Sequence, residues 1–153
     1  MPVGDDTIAY RRHLPHLEKQ GKTYFVTFRT RRRQQLPPVA RTAALQACIA
    51  LHRAFCWLEC ITIMPDHCHS ILAPLEPHPL AEVMKRLKGS SSYRANLSIH
   101  RRGPLWQHES FDHILRSDES LSSKIEYICN NPVRAGLVDH WSEYAWTWRA
   151  CDH

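Results

Sequence analysis

The chain has 153 residues, with 20 Lys and Arg against 15 Asp and Glu, 11 His, and a net charge of +5. That length suits one domain with its own apolar core, and a pI near 9.0 favours an anionic partner while saying nothing of fold. Six cysteines without a Cys-x-x-Cys pair argue against a zinc ribbon or a thioredoxin-type redox site, and no run of about 18 apolar residues predicts a membrane span.

Residues 1–20 are polar, basic and broken by Pro2 and Pro15, and read as an arm ahead of a single domain over 21–150. The start carries no secretory pattern, so a reduced, cytoplasmic protein with free thiols is expected. Thr23 to Phe28, aromatic and β-branched, predicts a first strand. Arg31 to Pro38 reads as a basic loop closed by two prolines. Ala44, Cys48, Leu51 and Phe55 recur at helical spacing and predict a helix over Val39 to Phe55.

Trp57 to Met64 is almost wholly apolar, suiting a central strand covered on both faces. Pro65-Asp66 breaks it, and His67 to Ala73 reads as its pairing strand. Leu80, Val83, Met84 and Leu87 mark a second helix, whose continuation through Gly89-Ser90-Ser91-Ser92 is weakened by helix-poor residues. A turn at Arg102-Gly103-Pro104 leads to a short strand over Ser110 to Leu115. Ser117 is a good N-cap, with Asp118 and Glu119 favourable in the first turn, for a third helix with core residues Leu121, Ile125 and Ile128. Pro132 disfavours α geometry at Asn131, so that helix should end or kink there. This order predicts an α+β fold: a ferredoxin-like antiparallel sheet with helices packed mainly on one face.

Side chains alternate along a strand, so His67 and His69 share a face and can reach one metal ion. Two imidazoles with one oxygen ligand suit a divalent cation and leave positions open for phosphate oxygens; the bland alternative is a pair of surface histidines. On the third helix Ser120, Lys124, Tyr127 and Asn131 form one stripe beside the core stripe. Tyr127 can thus look along the sheet, Asn131 can turn its amide oxygen to the same metal, and Lys124 can meet a phosphate. Spacing leaves Tyr10, Tyr24, Tyr93 and Tyr144 open as competing nucleophiles. A zinc site from Cys56, Cys60, His67 and His69 is a weaker alternative. Basic clusters at Arg11-Arg12, Arg31-Arg32-Arg33, Lys85-Arg86 with Lys88, and Arg101-Arg102 are expected to follow a nucleic-acid backbone.

Five segments, Tyr24 to Thr27, Met64-Pro65-Asp66-His67-Cys68-His69-Ser70-Ile71-Leu72, Leu105-Trp106-Gln107, Tyr127 to Val138 (with Asn130-Asn131-Pro132-Val133-Arg134-Ala135-Gly136) and Glu143 to Trp148, resemble the single-tyrosine HUH transposases in the same order. The likeness is greatest to the REP-associated tyrosine transposases, relatives of the smallest bacterial insertion-sequence transposases, and spans roughly residues 20 to 148. It implies an HUH-type enzyme that cleaves and rejoins single-stranded or hairpin DNA through a 5′-phosphotyrosine and a free 3′-hydroxyl. In that pattern Tyr127 is the nucleophile, His67 and His69 bind Mg²⁺ or Mn²⁺, and Asn131 falls where relatives place a polar third ligand. Cys68 between the histidines faces away. The expected partners are REP-like hairpins or insertion-sequence ends, in the bacterial cytoplasm or nucleoid, bound by a monomer or a homodimer. A free phenol titrates near 10, so a cation must favour its ionised form: the metal first, Lys124 second. The alternative function is a domesticated, non-catalytic hairpin-binding protein.

Overall fold

The computed structural model describes residues 22–116 and 121–150. The expected N-terminal arm, the Ser117 cap with Asp118 and Glu119, and Ser120 lie outside the described residues. The elements are β1 (Tyr24–Arg29), α1 (Pro38–Ile49), β2 (Cys56–Met64), β3 (His67–Pro74), α2 (Leu80–Ser98), β4 (Phe111–Ile114), α3 (Leu121–Cys129), α4 (Asn131–Arg134) and β5 (Thr147–Arg149), with 3₁₀ turns at Arg31–Arg33 and Trp141–Glu143. The strands form one antiparallel sheet in the order β4-β1-β3-β2-β5. This is the α+β arrangement read from the sequence.

The central strands are buried on both sides, and all nine residues of β2 are inaccessible. On one face Val26, Phe28, Leu58, Ile61, Ile63, Cys68 and Leu72 pack against Ala40, Ala44 and Cys48 of α1 and Val83, Leu87 and Ala95 of α2. On the other, Phe25, Cys60 and Ile71 meet Leu121, Ile125 and Ile128 of α3. The two long helices therefore share one face, and the short α3 covers the face that carries His67 and His69.

Strand β2 changes phase midway. Leu58 lies opposite Leu72, yet Cys60 lies opposite Ile71, so Glu59 is an extra residue on β2. Its carbonyl accepts the Ala150 N–H at 3.0 Å. A bulge of this kind exchanges the faces of all that follows. Cys56 accordingly packs with α1 and α2, while Cys60 packs with α3.

Two helices differ from expectation in length. Helix α1 stops at Ile49, because the chain turns at Leu51 to enter β2: the Leu51 carbonyl accepts the N–H groups of Ala54 (3.2 Å) and Phe55 (3.0 Å), and Arg53 takes φ 75°. Leu51 and Phe55 still pack on the core, which explains why they continued the apolar period. Helix α2, by contrast, runs unbroken through Gly89 to Ser92. Ser90 Oγ donates to the Arg86 carbonyl at 2.7 Å and Ser91 Oγ to that of Leu87 at 2.6 Å, while Trp106 Nε1 donates to Ser91 Oγ at 2.9 Å. The serines that weaken an isolated helix here satisfy a buried indole. Among the described residues no helix is long and apolar enough to cross a membrane.

Candidate active site

The β2–β3 hairpin presents the histidines. Its Pro65-Asp66 turn is fixed from outside: Thr30 N–H donates to the Asp66 carbonyl (2.9 Å), and Leu36 N–H donates to that of Pro65 (2.6 Å). His67 Nδ1 lies 2.7 Å from Asp66 Oδ1, and the other carboxylate oxygen takes Arg33, 2.9 Å from Nε and 2.7 Å from the terminal nitrogen. Burial opposes ionisation of Asp66, yet the hydrogen bonds from His67 and Arg33 hold its carboxyl below the usual range. An ionised carboxylate only accepts, so the His67 proton sits on Nδ1 and its Nε2 carries a lone pair. That lone pair faces Asn131 Nδ2 at 3.4 Å.

His69 is built the same way. Register places Thr27 of β1 opposite it, and Thr27 Oγ1 lies 2.8 Å from Nδ1, leaving Nε2 for another partner. The two imidazole rings stand 4.8 Å apart at 80°. Burial, followed by the charges of His67, Arg29 and Arg134, pushes His69 down to about 3. Burial also lowers His67, with Asp66 working against it. Both rings are therefore neutral near pH 7.

Such a donor set fits a divalent metal. Each Nδ1 is engaged by a protein oxygen and each Nε2 is not, the arrangement by which metal-binding histidines are oriented, and neutral imidazoles need lose no proton to coordinate. No group of three His, Cys, Asp or Glu suited to a metal occurs among the described residues. A third protein ligand must then be of another kind, and the Asn131 amide is within reach.

The helix break brings the remaining groups together. At Asn130 ψ flattens within the right-handed region (φ −87°, ψ 0°), and Asn131 and Pro132 open the short turn α4. Tyr127, on the last turn of α3, is 49 % exposed; its ring lies 6.4 Å from His69 and 6.1 Å from Phe25. The cation on this ring is Arg134, not Lys124: its guanidinium carbon stands 4.0 Å above the ring centroid.

The other described tyrosines lie elsewhere. Tyr24 packs on the α1–α2 side, Tyr93 is exposed on α2, and Tyr144 is buried with its hydroxyl donating to the Ile63 carbonyl at 2.7 Å. Tyr10 lies outside the described residues. The zinc alternative fails on geometry, since the bulge puts Cys56 on the face away from His67, His69 and Cys60.

The expected phosphate-binding residues divide. Arg31, Arg32, Lys85 and Lys88 line a groove of about 950 Å³ between α2 and the 104–110 loop. Arg32 and Arg33 hold φ 57° and 54°, a left-handed geometry that non-glycine residues adopt at some strain. The Leu105-Trp106-Gln107 segment pins them: Arg31 N–H donates to the Leu105 carbonyl at 2.9 Å, and Gln107 Nε2 donates to that of Thr30 at 3.1 Å. Lys88 Nζ already donates to the carbonyls of Gln107 (2.8 Å) and His108 (2.9 Å) and to Ser110 Oγ (2.8 Å). Arg86 pairs with Glu82 at 3.0 Å, and Arg33 with Asp66. Contacts from these three to another molecule would require giving up protein partners.

Sequence reasoning missed Asp66, Thr27 and Arg134. Asp66 adjoins His67 and was visible as a neighbouring carboxylate. Thr27 follows only from register, and Arg134 only from the fold-back after Pro132.

A family model described as IS200-like transposase matches residues 18–131, a span that includes His67, His69, Tyr127 and Asn131. A curated Haemophilus influenzae protein, provisionally named a REP-associated tyrosine transposase, is 27 % identical over 89 residues, covering 52 % of this chain and 51 % of that protein. The chain thus matches about half the length of this relative. A solved REP-associated tyrosine transposase bound to a REP hairpin superposes with a TM-score of 0.68 at 23 % identity, over 83 % of this chain and 76 % of that one. A provisionally named transposase from Deinococcus radiodurans reaches a TM-score of 0.44 at 23 % identity, over 71 % of this chain and 90 % of that one. With the family match extending over most of its length, the chain belongs to the IS200-like transposases.

Proposed function

We propose that this protein is a metal-dependent DNA strand transferase that cleaves single-stranded or hairpin DNA through a covalent 5′-phosphotyrosine on Tyr127. The observation that carries the reading is the convergence of Tyr127, Asn131, His67 and His69 on one sheet face, from which the other described tyrosines are absent. The hairpin held by the structural relative supports the substrate class, as do the arginine turn and groove. Action on DNA places the protein in the cytoplasm, at the nucleoid when bound.

Tyr127 Oη attacks phosphorus: the Oη–P bond forms, the P–O3′ bond breaks, the phenolic proton passes to solvent, and the leaving 3′-oxygen takes a proton from solvent to become a hydroxyl. Attack by a second 3′-hydroxyl reverses the step at a new junction, so the phosphodiester bond energy is kept without nucleotide hydrolysis. A divalent ion held by His67 Nε2, His69 Nε2 and the Asn131 amide would act as a Lewis acid, polarising a phosphate oxygen. Asp66 and Thr27 orient the two imidazoles, and burial keeps them neutral. Arg31, Arg32 and Lys85 supply the backbone attraction that draws DNA to the same end of the sheet.

The test is incubation with labelled single-stranded DNAs carrying hairpins and their flanks, with and without Mn²⁺, on denaturing gels. A metal-dependent protein–DNA adduct is expected. Hairpin binding with no adduct under any condition would make the chain a binding protein and overturn the catalytic reading.

A further inference from the structure

Arg134 touches both partners of the proposed chemistry. It lies seven residues after Tyr127, two turns or about 10.5 Å further along an unbroken helix. The flattened ψ at Asn130 and the turn opened at Asn131 and Pro132 separate Arg134 from α3, and its side chain reaches back to Tyr127. There the guanidinium carbon lies 4.0 Å over the ring centroid. One terminal nitrogen donates to the Tyr127 carbonyl at 3.1 Å and to Asn131 Oδ1 at 3.4 Å. In the metal-free site this contact keeps Oδ1 on Arg134 and Nδ2 on His67 Nε2, so the amide must rotate before its oxygen can serve as a ligand.

A planar guanidinium suits this position because it can stack on a ring and donate in its own plane at once, whereas an ammonium cannot do both with one geometry. Ring, helix end and amide are thereby tied to one group, although Arg134 itself is exposed. We propose that Arg134 is the positioning residue of this site, holding the Tyr127 ring and the end of its helix beside the histidine pair and, in the metal-free protein, parking the Asn131 amide against His67. This rests on the reading of Tyr127 as nucleophile. Arg134 acts through Tyr127 and Asn131, and its removal loosens both.

The experiment has two arms. In the first, adduct formation is timed in single turnover at saturating labelled DNA with Mn²⁺, for the wild-type chain, Arg134→Ala, Arg134→Lys, and Arg134→Ala with millimolar free guanidinium. The second is NMR of the metal-free protein, following the Tyr127 ring and Asn131 side-chain amide signals. Arg134→Ala should slow the adduct about 100-fold, the penalty for a reacting group displaced by about an ångström. Lysine should restore the rate only in part, free guanidinium should restore at least about tenfold, and both sets of NMR signals should move in Arg134→Ala. A wild-type rate in Arg134→Ala overturns the proposal, as does a slow variant whose Tyr127 and Asn131 signals stay in place. If the wild-type chain itself forms no adduct, the nucleophile reading has failed. The second arm then decides alone, and unmoved signals overturn the positioning role.

Discussion

Removing one oxygen from Tyr127 should separate chemistry from folding. The ring is 49 % exposed, and its described contacts are made by the ring and the backbone: Phe25 at 6.1 Å, His69 at 6.4 Å and Arg134 at 4.0 Å. Tyr127→Phe keeps all of these. A change at a half-exposed position that leaves no buried group unpaired shifts stability by about 0.5 kcal/mol or less, roughly 1–2 °C in Tm for a chain of this size. Tyr127→Ala removes the ring as well and should cost about 1–2 kcal/mol. Against that, deletion of a nucleophile should slow adduct formation by about 10⁴-fold or more, roughly 5 kcal/mol or more in barrier. The assay pairs a denaturing gel of labelled DNA with thermal unfolding of the same preparations, and peptide mapping locates the adduct in the wild-type chain. An adduct that persists in Tyr127→Phe, or one that maps to Tyr93, would refute the argument. Tyr93 is a sharp control because α2 lies across the sheet from the histidines.

Three further outcomes are expected. Asp66→Ala frees His67 Nδ1 and should weaken Mn²⁺ binding about 10–100-fold by calorimetry; unchanged affinity would remove Asp66 from the site. Lys88→Ala breaks three hydrogen bonds that anchor the 107–110 segment and should cost about 2 kcal/mol, whereas Lys85→Ala should leave Tm unchanged and lower the salt dependence of DNA binding by about one unit of slope. Equal behaviour of the two variants in both assays would contradict this division. In EDTA, the depressed protonation of His69 should make stability depend on pH. The unfolded chain binds a proton near 6.5 and the folded one only near 3, so the contribution is complete above pH 6.5 and is lost as pH falls toward 3. Tm should fall across that window and the fall should flatten in His69→Asn; an identical profile in that variant would dismiss the assignment.

The sequence was informative wherever one face of an element had to be apolar. Strands β1 to β3 and helix α3 follow from their patterns, and the histidine pair and Tyr127 follow from alternation, helical spacing and the family resemblance. The misread boundaries share a cause, which is partners distant in sequence. The Gly89–Ser92 stretch is poor helix until Trp106 donates to Ser91, and Leu51 and Phe55 extend an apolar period through a turn because the core needs them there. Lys88 read as a nucleic-acid contact because its acceptors come from a loop about twenty residues on, and no periodicity announces them. Arg134 was quoted in a motif but given no role, since its contact with Tyr127 exists only once the chain bends at Asn130. The bulge at Glu59 left no trace, because a strand buried on both sides has no polar alternation in which a change of phase would show.

That same uniformity of β2 leaves its side chains indifferent to a slip of one residue, so its alignment rests on the backbone. Deleting Glu59 would join Leu58 to Cys60 as a regularly alternating strand and leave every side chain on its present face, because Leu58 and Cys60 already lie opposite the consecutive residues Leu72 and Ile71. What the strand would lose is the Glu59 carbonyl that accepts the Ala150 N–H at 3.0 Å, while Thr62 would keep Thr147 at 2.9 Å and the Ile128 carbonyl at 3.5 Å. The inserted residue changes the sequence parity between the two halves of the strand without changing the side of the sheet on which either packs. Both halves pack on the long helices, through Cys56 and Leu58 and through Ile61 and Ile63, while Cys60 packs on α3.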